Sequence, residues 1–364
     1  MRVSTIGLIS TNYNNESFEA LTAERTLPTL MFGGKYRLID FAISNMVNAG
    51  IRSVGVIAPY NFRSVSDHIG TGKPWGLARK VGGLFMLPGG VYASRERGCR
   101  FMIRNLVANR IFLEKEDADF VLMSGGSTVM NADYTEFIDF HAKSGTDITL
   151  FTKKVPGRED GTYAVCGNGR VTAIVGPDQG SDVRVLAMIV NRKFLLRLID
   201  TFAAMDFEDL LNVVSSRLSA INVDCYEYGG YVGIIETLND YMACSRDLLD
   251  ADIRAELFDS ERTIFTKPQD RTPTIYKSGS HVKNSLVAAG CVIEGTVENS
   301  IISRNTRIGK GAVVKDAVLM QKCVVEDGAQ IRNMICDKLV RIGKNVRLEG
   351  GDDKPLVLGK ETRV

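Results

Sequence analysis

Along the first 250 residues the apolar positions switch between two spacings. Residues 3–9 and 53–58 (SVGVIA) are short continuous apolar runs of the kind that form buried strands. Between them Leu38, Phe41, Ala42, Met46 and Val47 recur at helical spacing over residues 37–48, and Gly50 stands where a helix stop is expected. The alternation continues. Residues 100–115 predict an amphipathic helix with Ile103, Leu106, Val107, Ile111 and Leu113 on its apolar face. A strand is predicted over 120–123, a helix over 136–143 and a strand over 147–151. Asn168-Gly169, between apolar runs at 163–166 and 171–175, reads as a hairpin turn with positive φ. Strand–helix alternation predicts an α/β domain with a mostly parallel sheet covered on both faces.

The last 80 or so residues follow another rule, because they repeat. The quartets Asn299-Ser300-Ile301-Ile302, Asp316-Ala317-Val318-Leu319 and Asn333-Met334-Ile335-Cys336 stand 17 residues apart. Ile308, Val325 and Ile342 keep the same interval, as do Val314, Ile331 and Leu348. Within one repeat the steps are 6, 6 and 5, from Ile302 to Ile308 to Val314 to Leu319. Asn284-Ser285-Leu286-Val287 starts the series 15 residues earlier as an irregular first turn. A helix would need apolar residues every three or four positions. Three short strands per repeat predict instead a parallel β-helix of triangular section. Residues 259–278, with Pro268 and Pro273 and few apolar clusters, read as a linker. The expected organisation is therefore 1–258, a linker at 259–278, and a β-helix over 279–364.

Length fits that division, since 364 residues at roughly 150 per domain suggest two domains. Charge narrows the partners: 45 Lys plus Arg against 43 Asp plus Glu gives +2, which argues against a nucleic-acid binder. Seven scattered cysteines without a C-x-x-C pair argue against a disulfide framework or a thiolate zinc site. His68, His141 and His281 are far apart, which disfavours a histidine metal centre. No apolar run approaches the roughly 20 residues of a membrane helix, and residues 3–9 are too short for a signal-peptide core. A cytoplasmic, membrane-free protein is expected.

The most distinctive stretch is Phe32-Gly33-Gly34-Lys35-Tyr36-Arg37-Leu38-Ile39-Asp40-Phe41, continuing Ala42-Ile43-Ser44-Asn45. Two glycines before a helix, flanked by Lys35 and Arg37, could bring backbone N–H groups to a phosphate; a conformationally free helix entry is the plainer reading. With Asn48-Ala49-Gly50-Ile51 and the segment from Ser278 to Gly295, the stretch resembles the sugar-nucleotide pyrophosphorylases, specifically the ADP-glucose pyrophosphorylase family. The resemblance covers nearly the whole chain. It implies a nucleotidyltransferase-like (Rossmann-like) mixed sheet followed by a left-handed parallel β-helix. It also implies a reaction in which ATP adenylylates glucose 1-phosphate with magnesium, releasing pyrophosphate.

That chemistry makes demands on particular positions. The family's G-G-x-G-x-R-L phosphate loop corresponds to Ser10-Thr11-Asn12-Tyr13-Asn14-Asn15-Glu16-Ser17, which has no glycine and carries an acid that repels phosphate. The lysine of its K-P pair becomes Leu27 before Pro28. The two magnesium-binding carboxylates correspond to Gly126 and Tyr231, neither of which offers an ionised oxygen. On the sugar side, the lysine of E-K-P becomes Gly176, and G-T-A-D-A becomes Gly98-Cys99-Arg100-Phe101-Met102. These losses, together with His68-Ile69-Gly70-Thr71-Gly72-Lys73-Pro74-Trp75, make the chain resemble the family's non-catalytic D-type subunit. Gly70-Thr71-Gly72-Lys73 is not a P-loop, because Pro74 stands at the Ser/Thr position. Trp75 is expected to pack rather than to stack on a base.

The resemblance implies a regulatory subunit of a tetramer with a catalytic homologue, which would hold the magnesium and ATP. Arg25, Lys35 and Arg37 are candidates for holding a phosphorylated effector, with solvated basic residues as the plainer reading. A competing expectation is an active nucleotidyltransferase whose metal ligands are displaced to Glu16, Asp133 or Glu236. A third, acyl transfer on the β-helix, would need a histidine base, and His281 is the only histidine in that region.

Overall fold

The first domain is built on β1 (Thr5–Ser10), whose run of buried residues places it in the interior of a nine-stranded sheet, third from one edge. A short hairpin follows, β2 (Met31–Phe32) and β3 (Tyr36–Arg37), and leads into α1 (Leu38–Asn48). Then come β4 (Ser53–Ala58), α2 (Phe62–Ile69), β5 (Gly83–Pro88), α3 (Ile103–Ala108), α4 (Arg110–Lys115), β6 (Phe120–Gly125) and α5 (Tyr134–Ser144). The domain continues through β7 (Ile148–Lys154), β8 (Tyr163–Gly167), β9 (Arg170–Val175), β10 (Val183–Asn191), α6 (Arg192–Thr201), α7 (Leu210–Ser215) and β11 (Val223–Glu227). It ends with α8 (Leu238–Asp247) and α9 (Ala251–Leu257). This computed structural model describes residues 3–13, 16–90, 100–115, 117–155, 161–167, 170–177, 179–205, 207–351 and 353–364.

The strand order is β5-β4-β1-β6-β10-β7-β11-β9-β8. β4, β5 and β6 run parallel to β1 or its neighbour, β11 runs parallel to β7, and β10 lies antiparallel between β6 and β7. The mixed, mostly parallel sheet is therefore as the alternation predicts. The expected turn at Asn168-Gly169 lies outside the described residues, although β8 and β9 on either side of it pair antiparallel.

The expected single helix over 100–115 is two helices. Asn109 ends α3, its amide donating to Pro88 O at 2.7 Å and to Asn105 O at 2.7 Å, and the chain turns there. The turn carries Ile103, Leu106, Phe112 and Leu113 into the core but leaves Val107 38% and Ile111 78% exposed, contrary to the predicted apolar face.

The second domain is a left-handed parallel β-helix of three five-stranded parallel sheets. Ile293, Ile308, Val325 and Ile342 stack inward on one face, Val297, Val314 and Ile331 on the next, Ile302, Leu319 and Cys336 on the third. The corners are turned in the left-handed region by Asn284, Asn299, Asp316 and Asn333 at φ between 44° and 51°. Asparagine tolerates that region because its short polar side chain finds local partners. Here Asn284 donates to Asn299 Oδ1 at 2.8 Å, and Asn299 to Asp316 Oδ1 at 3.3 Å.

The quartets have a second use. Ile301, Val318 and Ile335, the outward members of their pairs, join Phe18, Leu21, Leu30, Phe32 and Tyr241 in one buried cluster. The β-helix is thus docked by a stripe of its own outer surface, and burial of apolar area at about 25 cal/mol per Å² holds it there. In the segment expected as a linker, Phe265 N–H donates to Ser44 Oγ at 2.9 Å and Ile264 is buried against α1's neighbours. Ile275–Tyr276 already pairs with Val292–Ile293 as the first strand of one face.

Candidate functional site

The loops after β1 and β6 leave the sheet side by side at their carboxyl ends, where open α/β sheets bind their ligands. In this chain the first loop is stitched down by its own side chains. Ser10 Oγ donates to Arg100 O at 2.7 Å, Asn12 N–H donates to Ser10 Oγ at 3.1 Å, and Arg100 N–H donates to Asn12 O at 3.2 Å. Tyr13 then lies buried across the mouth. Its hydroxyl accepts from Ser127 N–H at 3.2 Å, and Tyr60 Oη clamps its backbone, accepting from Tyr13 N–H at 3.2 Å and donating to Tyr13 O at 2.5 Å. The N–H groups of Thr11, Asn12 and Tyr13 are thus already donated to Ile57 O, Ser10 Oγ and Tyr60 Oη, whereas a phosphate cradle needs such donors bare. The remainder of the loop, Asn14, Asn15 and the side chain of Glu16, lies outside the described residues, as do Gly98 and Cys99.

Gly126 follows β6 and donates its N–H to Ser10 O at 3.2 Å. A Cβ on Gly126 would stand 2.9 Å from Pro28 Cβ and 3.1 Å from Pro28 Cγ, so Pro28 occupies the room a carboxylate would need. Leu27 is buried in the apolar cluster of Phe18, Leu21 and Leu30. Tyr231 is held from both ends, its N–H donating to Glu256 Oε1 at 2.5 Å and its hydroxyl to Asp247 Oδ2 at 2.6 Å. Burial, first, and the neighbouring Cys244 and Asp247 push its phenol well above the ordinary tyrosine range. It stays a neutral donor. Gly176 lies just past β9, where the nearest atom to an added Cβ is Gln179 Nε2 at 3.9 Å.

Magnesium wants several hard oxygen ligands in near-octahedral array. A glycine walled by proline and a neutral phenol already donating to a carboxylate do not fit it. Among the described residues no three His, Cys, Asp or Glu side chains gather as a metal site. The displaced candidates are engaged elsewhere. Asp133 caps α5, accepting from Thr135 N–H at 2.8 Å, and Glu236 forms a buried ion pair with Arg184. That pair lies outside anything legible in the sequence. Arg184 also reaches Tyr163, with its guanidinium carbon 5.3 Å from the ring centroid. A cavity of about 50 Å³ lined by Phe101, Gly125, Arg184 and Asp209 remains beside it, room for water and not for a sugar nucleotide.

The three basic candidates lie near the junction of the domains and are unequal. Arg25 grips Asp337 of the β-helix with two bonds of 2.8 Å, and both side chains are buried, so its fork is already filled. Arg37 precedes α1, donates to Ser64 O at 3.2 Å, and its N–H donates to Asp40 Oδ2 at 2.9 Å. Burial pushes its guanidinium down to about 10. Lys35 is exposed, its Nζ lying 4.6 Å from the Tyr36 ring centroid. Burial, with Arg37 and Arg25 nearby, pulls the Lys338 ammonium down to about 8 in the same region.

Gly33 and Gly34 do not open the helix. They turn the β2–β3 hairpin at φ 56° and 78°, and Gly34 lies against the β-helix, where an added Cβ would meet Ala288 Cβ at 3.4 Å. Gly34 thus lets the hairpin tip approach the β-helix, while Gly33 lies against Leu248 of the first domain, where an added Cβ would meet its Cδ1 at 3.1 Å. Trp75 is buried and meets the His68 ring edge-on at 5.9 Å, as a packing residue does. His68 is bonded to Asp40 at 2.5 Å, and burial lowers its pKa against the pull of that carboxylate. His281 is exposed on the first coil of the β-helix.

Residues 17–175 match the nucleotidyl transferase family, and residues 272–354 match the GlmU-like C-terminal hexapeptide family. The chain is similar to the glycogen biosynthesis protein GlgD of Bacillus subtilis (strain 168), at 33% identity over 355 residues, covering 98% of this chain and 95% of that protein. It is similar to GlgD of Geobacillus stearothermophilus at 32% identity, covering 86% of this chain and 84% of that one. Glucose-1-phosphate adenylyltransferase of Acetivibrio thermocellus is 29% identical over 364 residues, covering 96% of this chain and 84% of the enzyme.

Proposed function

The chain belongs to the ADP-glucose pyrophosphorylase (glucose-1-phosphate adenylyltransferase) family, in its D-type branch, and we propose that it is a regulatory, catalytically deficient subunit of that assembly. In this reading it acts in glycogen biosynthesis, in the cytoplasm, in a hetero-oligomer with a homologous catalytic subunit. The catalytic subunit carries the ATP, the magnesium and the adenylyl transfer to glucose 1-phosphate.

The observation that carries the proposal is the plugged mouth of the sheet. Tyr13 bonded to Ser127, and Pro28 against Gly126, fill the positions where the reaction needs a phosphate loop and a metal-binding carboxylate. No single substitution accounts for this; the loop after β1 and the turn at Leu27–Thr29 are folded into a packed core. Lys35 and Arg37 are the better candidates for a phosphorylated effector, since any anion at Arg25 must first displace Asp337. Coupling between subunits of this kind is typically about 1–3 kcal/mol.

The test is a pyrophosphorolysis assay of the purified chain, alone and mixed with the glucose-1-phosphate adenylyltransferase of the same organism. Negligible turnover alone and a changed rate or substrate affinity in the mixture are expected. Magnesium-dependent turnover by the chain alone at the catalytic subunit's rate would overturn the proposal.

A further inference from the structure

One end of the β-helix is open. Its first coil is made of β12 (Ile275–Tyr276), β13 (His281–Lys283) and β14 (Leu286–Val287), and each is the edge strand of its sheet. Tyr276, Val282 and Val287 pair in register with Ile293, Val297 and Ile302, inward residues of the next coil, and so hold the inward positions of the first layer. Ile293 is 0% exposed; Tyr276, one layer out, is 54% exposed and its neighbour Ile275 56%. The backbone is open as well. Ile275 and Lys277 N–H donate into the stack, to Cys291 O and Ile293 O at 2.9 Å each, and Leu286 and Ala288 N–H donate to Ser300 O and Ile302 O at 3.0 and 2.8 Å. Alternate residues of a strand bond to opposite neighbours, so Tyr276 and Val287 turn their N–H and C=O groups to the end, where no strand follows among the described residues.

The last coil is held differently. Lys354 and Lys360 pair with Glu19 and Glu24 of the first domain. Residues 362–364 fold back onto the coil, Arg341 N–H donating to Thr362 O at 2.9 Å and Gly343 N–H to Val364 O at 2.7 Å. Stacked repeats are ordinarily closed by a polar cap. The first coil instead presents the surface on which every later coil receives the one before it, and what completes such a surface is another β-helix end.

Charge says which. Residues 272–288 carry Lys277, His281 and Lys283 and no Asp or Glu. Lys277 is paired with Glu294 of the next coil, whereas His281 and Lys283 are exposed on β13. Two copies of this chain set end to end would press two acid-free basic rims together, which like-charge repulsion disfavours.

We propose that the first coil docks the matching end of a homologous β-helix subunit with acidic side chains on its rim, and that its own basic rim excludes a second copy of this chain. This rests on the hetero-oligomer proposed above and adds to it the surface and the rule of partner choice.

The full chain is mixed with the glucose-1-phosphate adenylyltransferase of the same organism and followed by analytical ultracentrifugation and hydrogen exchange. Amides of residues 275–287 are expected to exchange about tenfold more slowly in the mixture than in the chain alone, as newly paired edges do. Tyr276→Asp, which puts a charge on the open layer, is expected to raise the dissociation constant about tenfold or more. The pair His281→Glu with Lys283→Glu reverses the rim; it is expected to weaken the mixed complex by a similar factor and to let the reversed chain associate with the parent chain. Unchanged exchange at 275–287 in the complex would overturn the proposal; if turnover is still altered in that mixture, the regulatory reading stands without it. Failure of the two proteins to associate at all would overturn both. Protection of 275–287 in the parent chain alone as its concentration rises would show an end that docks on itself, and would overturn the charge rule. The exchange map of the parent chain decides the matter even where Tyr276→Asp folds poorly.

Discussion

Arg25 and Asp337, 312 residues apart in the chain, meet through two parallel hydrogen bonds of 2.8 Å each inside the contact between the domains. A bidentate guanidinium–carboxylate pair fixes orientation as well as distance. Asp337 N–H in turn donates to Leu358 O at 2.9 Å, which ties the carboxylate to the last coil of the β-helix. The N-terminal domain therefore holds the β-helix by a directed polar clamp as well as by the stripe of Ile301, Val318 and Ile335.

Breaking that clamp from one side leaves a buried charge without its partner. Arg25→Met or Asp337→Leu alone is expected to cost about 3–5 kcal/mol of stability, whereas the double substitution costs much less than the sum. Denaturant unfolding of the three variants measures this. Single variants within about 0.5 kcal/mol of the parent would show that the clamp is not a stabilising contact.

How much of this was legible depends on whether the signal is local. The β-helix follows from the 17-residue period because every coil makes the same inward contacts with its neighbours, so the repeat is the structure. The alternating elements of the first domain follow from local apolar spacing in the same way. Arg25, by contrast, reads as a free cation because its partner lies in the other domain. Val107 and Ile111 read as core because the bond from Asn109 to Pro88 O, which breaks the helix, joins residues 21 apart. Glycines missing from a phosphate loop are visible in the sequence; that Tyr13 of the same loop is buried and accepts from Ser127 N–H, 114 residues away, is not.

His141 gives the stability a direction in pH. Its Nδ1 lies 2.7 Å from Thr149 Oγ1 against Phe120, and burial pulls its pKa from 6.5 down to about 4. Between those values the unfolded chain binds the proton and the folded chain does not, so stability falls as pH drops through that window. The contribution is fully present above pH 6.5 and lost by about pH 4. His68, also lowered by burial, adds to the slope in the same direction. Unfolding free energies at a series of pH values should decline from about 6.5 downward, with a shallower slope in His141→Gln. An unchanged slope in that variant would remove His141 from the account.

The hydroxyl of Tyr13 can be tested apart from its ring. Tyr13→Phe leaves the mouth filled but removes the acceptor for Ser127 N–H, which is buried. An unmet buried donor costs about 1–3 kcal/mol, so a loss in that range is expected in denaturant unfolding. Because the ring remains, calorimetric titration with ATP should be no stronger than for the parent chain. A gain in ATP binding would mean that the hydroxyl, and not the ring, closes the site.

Restoring the missing carboxylates is the sharpest test of how deeply the site has changed. Gly126→Asp must push its Cβ into Pro28, 2.9 Å away where contact needs more than 3.4 Å, and Pro28 is pinned in a turn between buried Leu27 and Thr29. Tyr231→Asp places an anion beside Asp247 and Glu256, the two acids that now accept from Tyr231. Each change is expected to destabilise, by about 1–3 kcal/mol for the overpacked glycine. The pair is expected to leave magnesium-dependent pyrophosphorolysis at background, because Tyr13 still fills the phosphate position and Leu27 offers no charge. Thermal unfolding and turnover of the double variant read both effects. Turnover in the double variant would show that two carboxylates were all that the site lacked, and that the packing of Tyr13 and Pro28 yields to nucleotide.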